Sequence, residues 1–311
     1  MGCVAAETPA SSHQSYRPTI KPQPKFIPNT FQEILRQILV DLPRTQPDTP
    51  LFHQEEIQRC MERVLYVWAI RHPASGYVQG MNDLITPLIL VFLAERLLLV
   101  AAGATATTAS SSSEAAASSS SLSVMALDAS KVPPAVLAEM EADVYWCITK
   151  LLDNIQDHYT FSQPGLQRMI FRLQALVERH DPSLHRHLEE EGLQYVQFAF
   201  RWMNCLLMRE LSLDAVVRVW DTELAEDQAA EAGGFEAFHV YLCAAFLLRF
   251  ADRLRTLPFQ ELVLFLQDPP THDWTLAEVE PLLSQAHVLR SLYPDFGATS
   301  SARHMGARAP R

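Results

Sequence analysis

The sequence predicts an all-α fold of a dozen or so helices with no significant sheet, and three observations carry that reading. Apolar residues recur at helical spacing in segment after segment, as in Ile57, Cys60, Met61, Val64, Leu65 and Trp68. No stretch alternates apolar and polar residues with a period of two. Only 10 glycines occur in 311 residues, too few for the tight turns of a β-rich chain.

Taken in order, residues 1–29 are rich in Pro, Ser and Thr, lack a hydrophobic period and are expected to form a disordered arm. Thr30 and Glu33 then make a capping box ahead of FQEILRQI. The helix that carries Trp68 should stop at His72, because Pro73 disfavours helical geometry in the residue before it. The next helix can start near Asp83, with Asn82 or Asp83 as its cap and Pro87 tolerated in the first turn. Residues 101–131 are low in complexity (ATATTASSSSEAAASSSSLS), have little to bury, and read as an inserted flexible loop.

Helical spacing resumes at Met140, Val144, Ile148, Leu151 and Ile155, and again from Leu166 to Val177. In DPSLHRHLEEEG, Asp181 can cap, Pro182 fits the first helical position and Gly192 ends the helix. YVQFAFRWMNCLLMREL, AVVRVWDTEL, FHVYLCAAFLLRF, FQELVLFLQ and TLAEVEPLLSQAHVL each read as a helix, the last opened by a Thr275–Glu278 capping box. Residues 298–311 are expected to be a disordered tail.

Charge and cysteine usage exclude several function classes. A formal net charge of -11 is wrong for neutralising nucleic-acid phosphates, and equally poor for general adhesion to an anionic membrane. Five scattered cysteines with no C-x-x-C spacing read as reduced, mostly buried thiols in a cytoplasmic protein, and no zinc spacing occurs. The most apolar run, from Ile85, is interrupted by Glu95 and Arg96 and reads as a core helix. The opening MGCV fits N-myristoylation of Gly2 with acylation of Cys3, except that Ala6 stands where Ser or Thr is preferred; peripheral association with endomembranes is left open.

Two short stretches carry the chemistry. ILVDLPRT holds the pattern I-x-x-D-x-x-R in Ile38, Asp41 and Arg44. GYVQGMND then holds Y-x-Q-G-M-x-D in Tyr77, Gln79, Gly80, Met81 and Asp83. An isolated loop arginine is common; the ordered pair is not. It resembles the arginine-finger and glutamine-finger motifs of the TBC domain, the all-helical module of Rab GTPase-activating proteins. FAFRWMNCLLMREL, with Phe200, Arg201, Trp202, Arg209 and Glu210, looks like the third family motif, and the following RVWD, with Arg218, Trp220 and Asp221, also fits. The family's upstream arginine–tryptophan signature is absent from residues 1–30.

The resemblance implies a TBC-like domain over 30–297, in an N-terminal subdomain of about 30–177 and a C-terminal one of about 178–297. It implies Arg44 and Gln79 as catalytic groups, supported by Ile38, Asp41, Tyr77, Gly80, Asn82 and Asp83. The partner is then a Rab-type small GTPase in its GTP-bound form. That partner carries the GTP and Mg²⁺, and this chain needs neither a metal nor a cofactor of its own. The chemistry suits the residue types. An arginine fork supplied in trans stabilises charge developing on the phosphates. A neutral amide can both donate to and accept from an attacking water without repelling phosphate, as a carboxylate would. Asp41 either orients Arg44 or simply finishes its helix, and Tyr77 either braces the Gln79 loop or touches the partner. The alternative reading is a catalytically silent TBC-like adaptor that binds a GTPase or membrane-traffic partner.

Overall fold

The computed structural model describes residues 31–104, 126–229 and 234–296, and among them the fold is all-α with no strand. The helices are α1 (Phe31–Asp41), α2 (Glu55–Arg71), α3 (Met81–Leu84), α4 (Thr86–Ala104), α5 (Pro134–Asn154), α6 (Pro164–His180) and α7 (Pro182–Glu190). They continue with α8 (Val196–Asn204), α9 (Leu213–Ala229), α10 (Gly234–Leu248), α11 (Ala251–Leu254), α12 (Phe259–Gln267) and α13 (Leu276–Leu292). Thr30, the lipidation positions Gly2 and Cys3, the arm 1–29 and the tail 298–311 lie outside the described residues.

Helix α10 is the hub. An unbroken run of its residues from Val240 to Leu247 is buried, so the helix is apolar all round, as a helix enclosed by others must be. It packs against α13, α9 and α6. Its buried histidine is His239, whose Nδ1 lies 2.7 Å from Glu223 Oε1 on α9 and whose Nε2 lies 3.1 Å from the Trp202 carbonyl on α8. That ring ties three helices together. The N-terminal half is built on α2, which packs against α1 and α5, with α5 also covering α4. No helix among the described residues is long and apolar enough to cross a membrane.

Local chemistry sets most element ends. Helix α2 stops at Arg71, with His72 as its C-cap before Pro73. Asp181 Oδ1 accepts from the Leu184 amide at 3.0 Å, a cap that contributes about 1 kcal/mol. Gly192 at φ 77 closes α7, letting the Leu193 amide reach back to the Leu188 carbonyl at 2.9 Å. The Thr275–Glu278 capping box forms as expected.

Three expectations need correction. Asn82 and Asp83 do not cap a helix: both lie inside the short α3, whose N-cap is Gly80, and their side chains point into a buried polar network instead. The expected insertion 101–131 overlaps ordered structure at both ends, because α4 runs through Ala104 and residues 127–131 pack back on α2. There Gln54 bonds the Leu127 carbonyl and the Ala129 amide, and Ala129 is fully buried. Residues 105–125 lie outside the described residues. Finally, YVQFAFRWMNCLLMREL is not one helix. α8 ends at Asn204, and Leu206 and Leu207 follow at φ 50 and 59. Both leucines are fully buried, and the Trp220 indole donates to the Leu206 carbonyl at 3.2 Å, so tertiary packing holds a backbone that helical propensity opposes.

Candidate functional site

Asp41 is the last residue of α1, and Leu42–Arg44 continues as one 3-10 turn containing Pro43. The turn brings Arg44 back over Asp41, so that Nε donates to Asp41 Oδ1 at 3.1 Å and Nη2 donates to the same oxygen. The pair is unequal in exposure: the Arg44 side chain keeps 57% of its surface and that of Asp41 only 7%. Asp41 is a buried handle, and Arg44 an exposed head whose Nη1 has no partner among the described residues. Ile38, one turn earlier, is fully buried and seats α1 in the core.

The second motif attaches to the other Asp41 oxygen. The Tyr77 hydroxyl donates to Asp41 Oδ2 at 2.7 Å and lies 3.2 Å from Asn82 Oδ1. Burial, and then the bond to Asp41, push the Tyr77 phenol well above its ordinary range, so it remains a donor. Asn82 Oδ1 accepts from the Gly80 amide at 3.1 Å, and its Nδ2 donates to Thr45 Oγ1 at 2.9 Å. Thr45 in turn donates to the Asp41 carbonyl at 3.1 Å. The two motifs are thus one polar network. Asp41 ends its helix and bonds Arg44, and buried Tyr77 bonds Asp41 while it lines the same groove as Arg44.

Asp83 reaches a third segment. Its Oδ2 accepts from Arg209 Nε at 2.8 Å, while burial raises its pKa against the pull of that guanidinium. Gln79 lies in the turn before α3, with its backbone carbonyl accepting from Asn204 Nδ2 at 3.3 Å. Its side-chain amide is exposed and makes no hydrogen bond among the described residues. A rigid backbone therefore presents a free amide.

The two glycines of this turn differ. Gly80 has φ 104, and a Cβ there would meet Asn204 Nδ2 at 2.6 Å, whereas Gly76 has φ 63 and open space around it. Gly80 is a buried packing position against Asn204. Gly80→Ala is expected to lower the melting temperature clearly and Gly76→Ala much less. A left-handed backbone alone costs about 1–2 kcal/mol, and only Gly80 adds a steric clash. Thermal unfolding of both variants checks the ordering.

Arg36, Gln37, Val40, Asp41 and Arg44 form one side of an open groove of about 730 Å³. Residues 75, 77–79 and 159–163 complete its lining. Arg36 and Arg44 are its basic residues and Asp41, already paired, its one acid, so the groove attracts anions on a chain of net charge -11. The third motif lies behind it as scaffold. Arg201 Nε donates to the fully buried Glu210 at 2.6 Å, and Trp202 and Trp220 are core. Asp221 is exposed on α9. Sequence reading missed Thr45, Asn204 and Tyr159, none of which stands out without the fold.

Asp157, His158 and Glu236 bring ligand-type atoms within 4.8 Å of one another. Arg168 already bridges the two carboxylates, at 2.9 Å to Asp157 Oδ2 and 2.9 Å to Glu236 Oε2, which places fixed positive charge where a cation would sit. Buried His158 has no hydrogen bond to either ring nitrogen, and burial lowers its pKa to about 4, against the pull of Asp157. Below the ordinary value of 6.5 the unfolded chain holds a proton that the folded chain refuses, so stability is full above that pH and falls toward pH 4. A loss of about 2 kcal/mol between pH 7.5 and 5 is expected from this residue. His158→Leu should flatten that part of the slope in urea unfolding.

Residues 7–255 match the Rab-GTPase-TBC domain family. The chain belongs to that family. The match begins earlier and ends earlier than the domain span of 30–297 expected from the sequence. The chain is 44% identical, over 87% of its length, to GTPase-activating protein gyp1 of Schizosaccharomyces pombe, and covers 48% of that protein. It is 44% identical to human TBC1 domain family member 22A over 85% of its length, covering 46% of that protein. The chain therefore spans about half the length of these relatives. The crystal structure of the Ypt/Rab-GAP domain of Gyp1p superimposes with a TM-score of 0.74 at 43% identity, over 85% of this chain and 74% of that one. The TBC fold and the two sequence stretches Ile38–Arg44 and Tyr77–Asp83 thus occur in one chain, their side chains joined through Asp41 and Tyr77.

Proposed function

We propose that this chain is a GTPase-activating protein for a Rab-type small GTPase in its GTP-bound form, acting in vesicle traffic. One observation carries the reading: Arg44 and Gln79 line the same open groove, each with an exposed polar head on a backbone anchored by the Asp41–Tyr77–Asn82 network. Family membership and the names of the relatives support it. Arg44 releases part of its contact with Asp41 and lays its fork on the phosphate oxygens, where negative charge grows as the terminal phosphoryl group departs. The Gln79 amide accepts from the attacking water and donates to the phosphoryl oxygen, fixing the line of attack. GTP and Mg²⁺ come with the partner. The working place is the cytoplasmic face of endomembranes, reached through the GTPase.

Phosphate release from a panel of GTP-loaded Rab proteins, with and without this chain, tests the proposal. At least one member should be accelerated by orders of magnitude. Binding to a GTP-loaded Rab with no acceleration of any panel member would leave only the adaptor reading.

A further inference from the structure

We propose that Phe161 is the apolar anchor that sets affinity for the partner GTPase, an inference that rests on the GTPase-activating reading above. Phe161 lines the groove that holds Arg44 and Gln79, and 74% of its surface is exposed to water. Val40, 57% exposed on α1, lines the same groove. An aromatic ring left in water beside cationic and amide heads is a surface prepared for burial against an apolar patch.

The loop that carries Phe161 is built rather than slack. Ser162 and Gln163 hold left-handed backbones at φ 64 and 46, although neither is glycine. The Gln163 amide closes the turn on the Thr160 carbonyl at 3.0 Å, and Gln167 Nε2 holds the Ser162 carbonyl at 2.6 Å. Behind it, a Cβ on Gly165 would meet Asp157 Oδ1 at 2.3 Å, so the next helix starts in tight contact with the loop's own base. Backbone strain kept by such surroundings marks a segment shaped for a purpose outside the fold. The loop is also tied to the glutamine. Buried Tyr159 donates to the Asn204 carbonyl at 2.9 Å, and the Asn204 side chain donates to the Gln79 carbonyl at 3.3 Å. One residue thus fixes the spacing between ring and amide. A rigid anchor loses little freedom on binding, which favours affinity. The partner surface that fits is an apolar patch beside a nucleotide, because the guanidinium and amide heads lie along the same groove.

The test is steady-state stimulation of a responsive Rab together with binding to the same Rab loaded with a non-hydrolysable GTP analogue. Phe161→Ala should raise KM and Kd by roughly 10–100-fold and leave kcat within about twofold, whereas Arg44→Ala lowers kcat. Phe161→Leu should recover most of the loss. Unchanged KM and Kd in Phe161→Ala, or a fall in kcat at constant KM, overturns the anchor; circular dichroism and melting of the variants exclude unfolding as the cause. If the wild-type chain stimulates no Rab yet binds one, and Phe161→Ala abolishes that binding, the catalytic proposal fails while the anchor stands.

Discussion

Arg44→Ala is expected to remove nearly all GTPase stimulation while the helical fold melts at an almost unchanged temperature. Arginine fingers supply about 10³–10⁵ in rate, or ~4–7 kcal/mol of barrier, which exceeds any other single change considered for this chain. The fold should tolerate the loss because the Arg44 side chain is 57% exposed, and Asp41 keeps its bond from Tyr77 at 2.7 Å. Arg44→Lys sharpens the test. Lysine preserves the charge but not the planar fork, and its ammonium cannot hold Asp41 through two nitrogens while presenting a third to phosphate. It should recover little activity. Single-turnover phosphate release on a responsive Rab is the measurement, and a lysine variant with near wild-type kcat would show that any cation serves there. Asp41→Asn separates holding from chemistry. Its amide still accepts from Arg44 but no longer forms a charge-assisted bond, so a moderate loss in kcat is expected.

Much of this site was legible because its motifs are local. Arg44 needs only a helix end, a proline turn and an acid three residues back, and all three lie within Ile38 to Arg44. The same is true of Gln79 between its glycines. What the sequence hid is where tertiary packing overrules propensity. WMNCLLMREL is as good a helix as its neighbours by pattern, yet the chain breaks after Asn204 and turns through two buried left-handed leucines. Nothing in the residue types Leu206 and Leu207 announces that backbone. The break sends Asn204 to the Gln79 carbonyl and Arg209 to Asp83, across 125 and 126 positions of sequence, so the support for the glutamine is invisible in the motif itself. Asn82 and Asp83 illustrate the converse. Their types suit a helix cap, and the cap was the economical local reading, but a buried network offering Thr45, Gly80 and Arg209 as partners outcompetes it. Phe161 escaped notice for a third reason: exposure is a property of the fold, and an isolated phenylalanine in a loop sequence is uninformative.

The largest effect after Arg44 is expected at Gln79, and it distinguishes two fingers from one. If the Gln79 amide orients the water, the glutamine that a GTPase uses for the same purpose becomes partly redundant in the complex. A responsive Rab with its own glutamine changed to leucine should still be stimulated by this chain, although its intrinsic hydrolysis is crippled. Gln79→Ala should cut kcat on the wild-type Rab by a margin comparable to Arg44→Ala and leave Kd for the GTP-loaded form much less affected. The reason lies in the division of labour at this residue. The backbone of Gln79 is held by Asn204, while the exposed amide bonds nothing else among the described residues, so truncation removes chemistry without disturbing the turn. Gln79→Glu should be no better than alanine, because a carboxylate cannot donate to the phosphoryl oxygen and repels it. Single-turnover phosphate release on both Rab versions decides the matter. Near-full activity of Gln79→Ala, together with complete resistance of the leucine Rab, would make Gln79 a bystander and leave Arg44 to act alone.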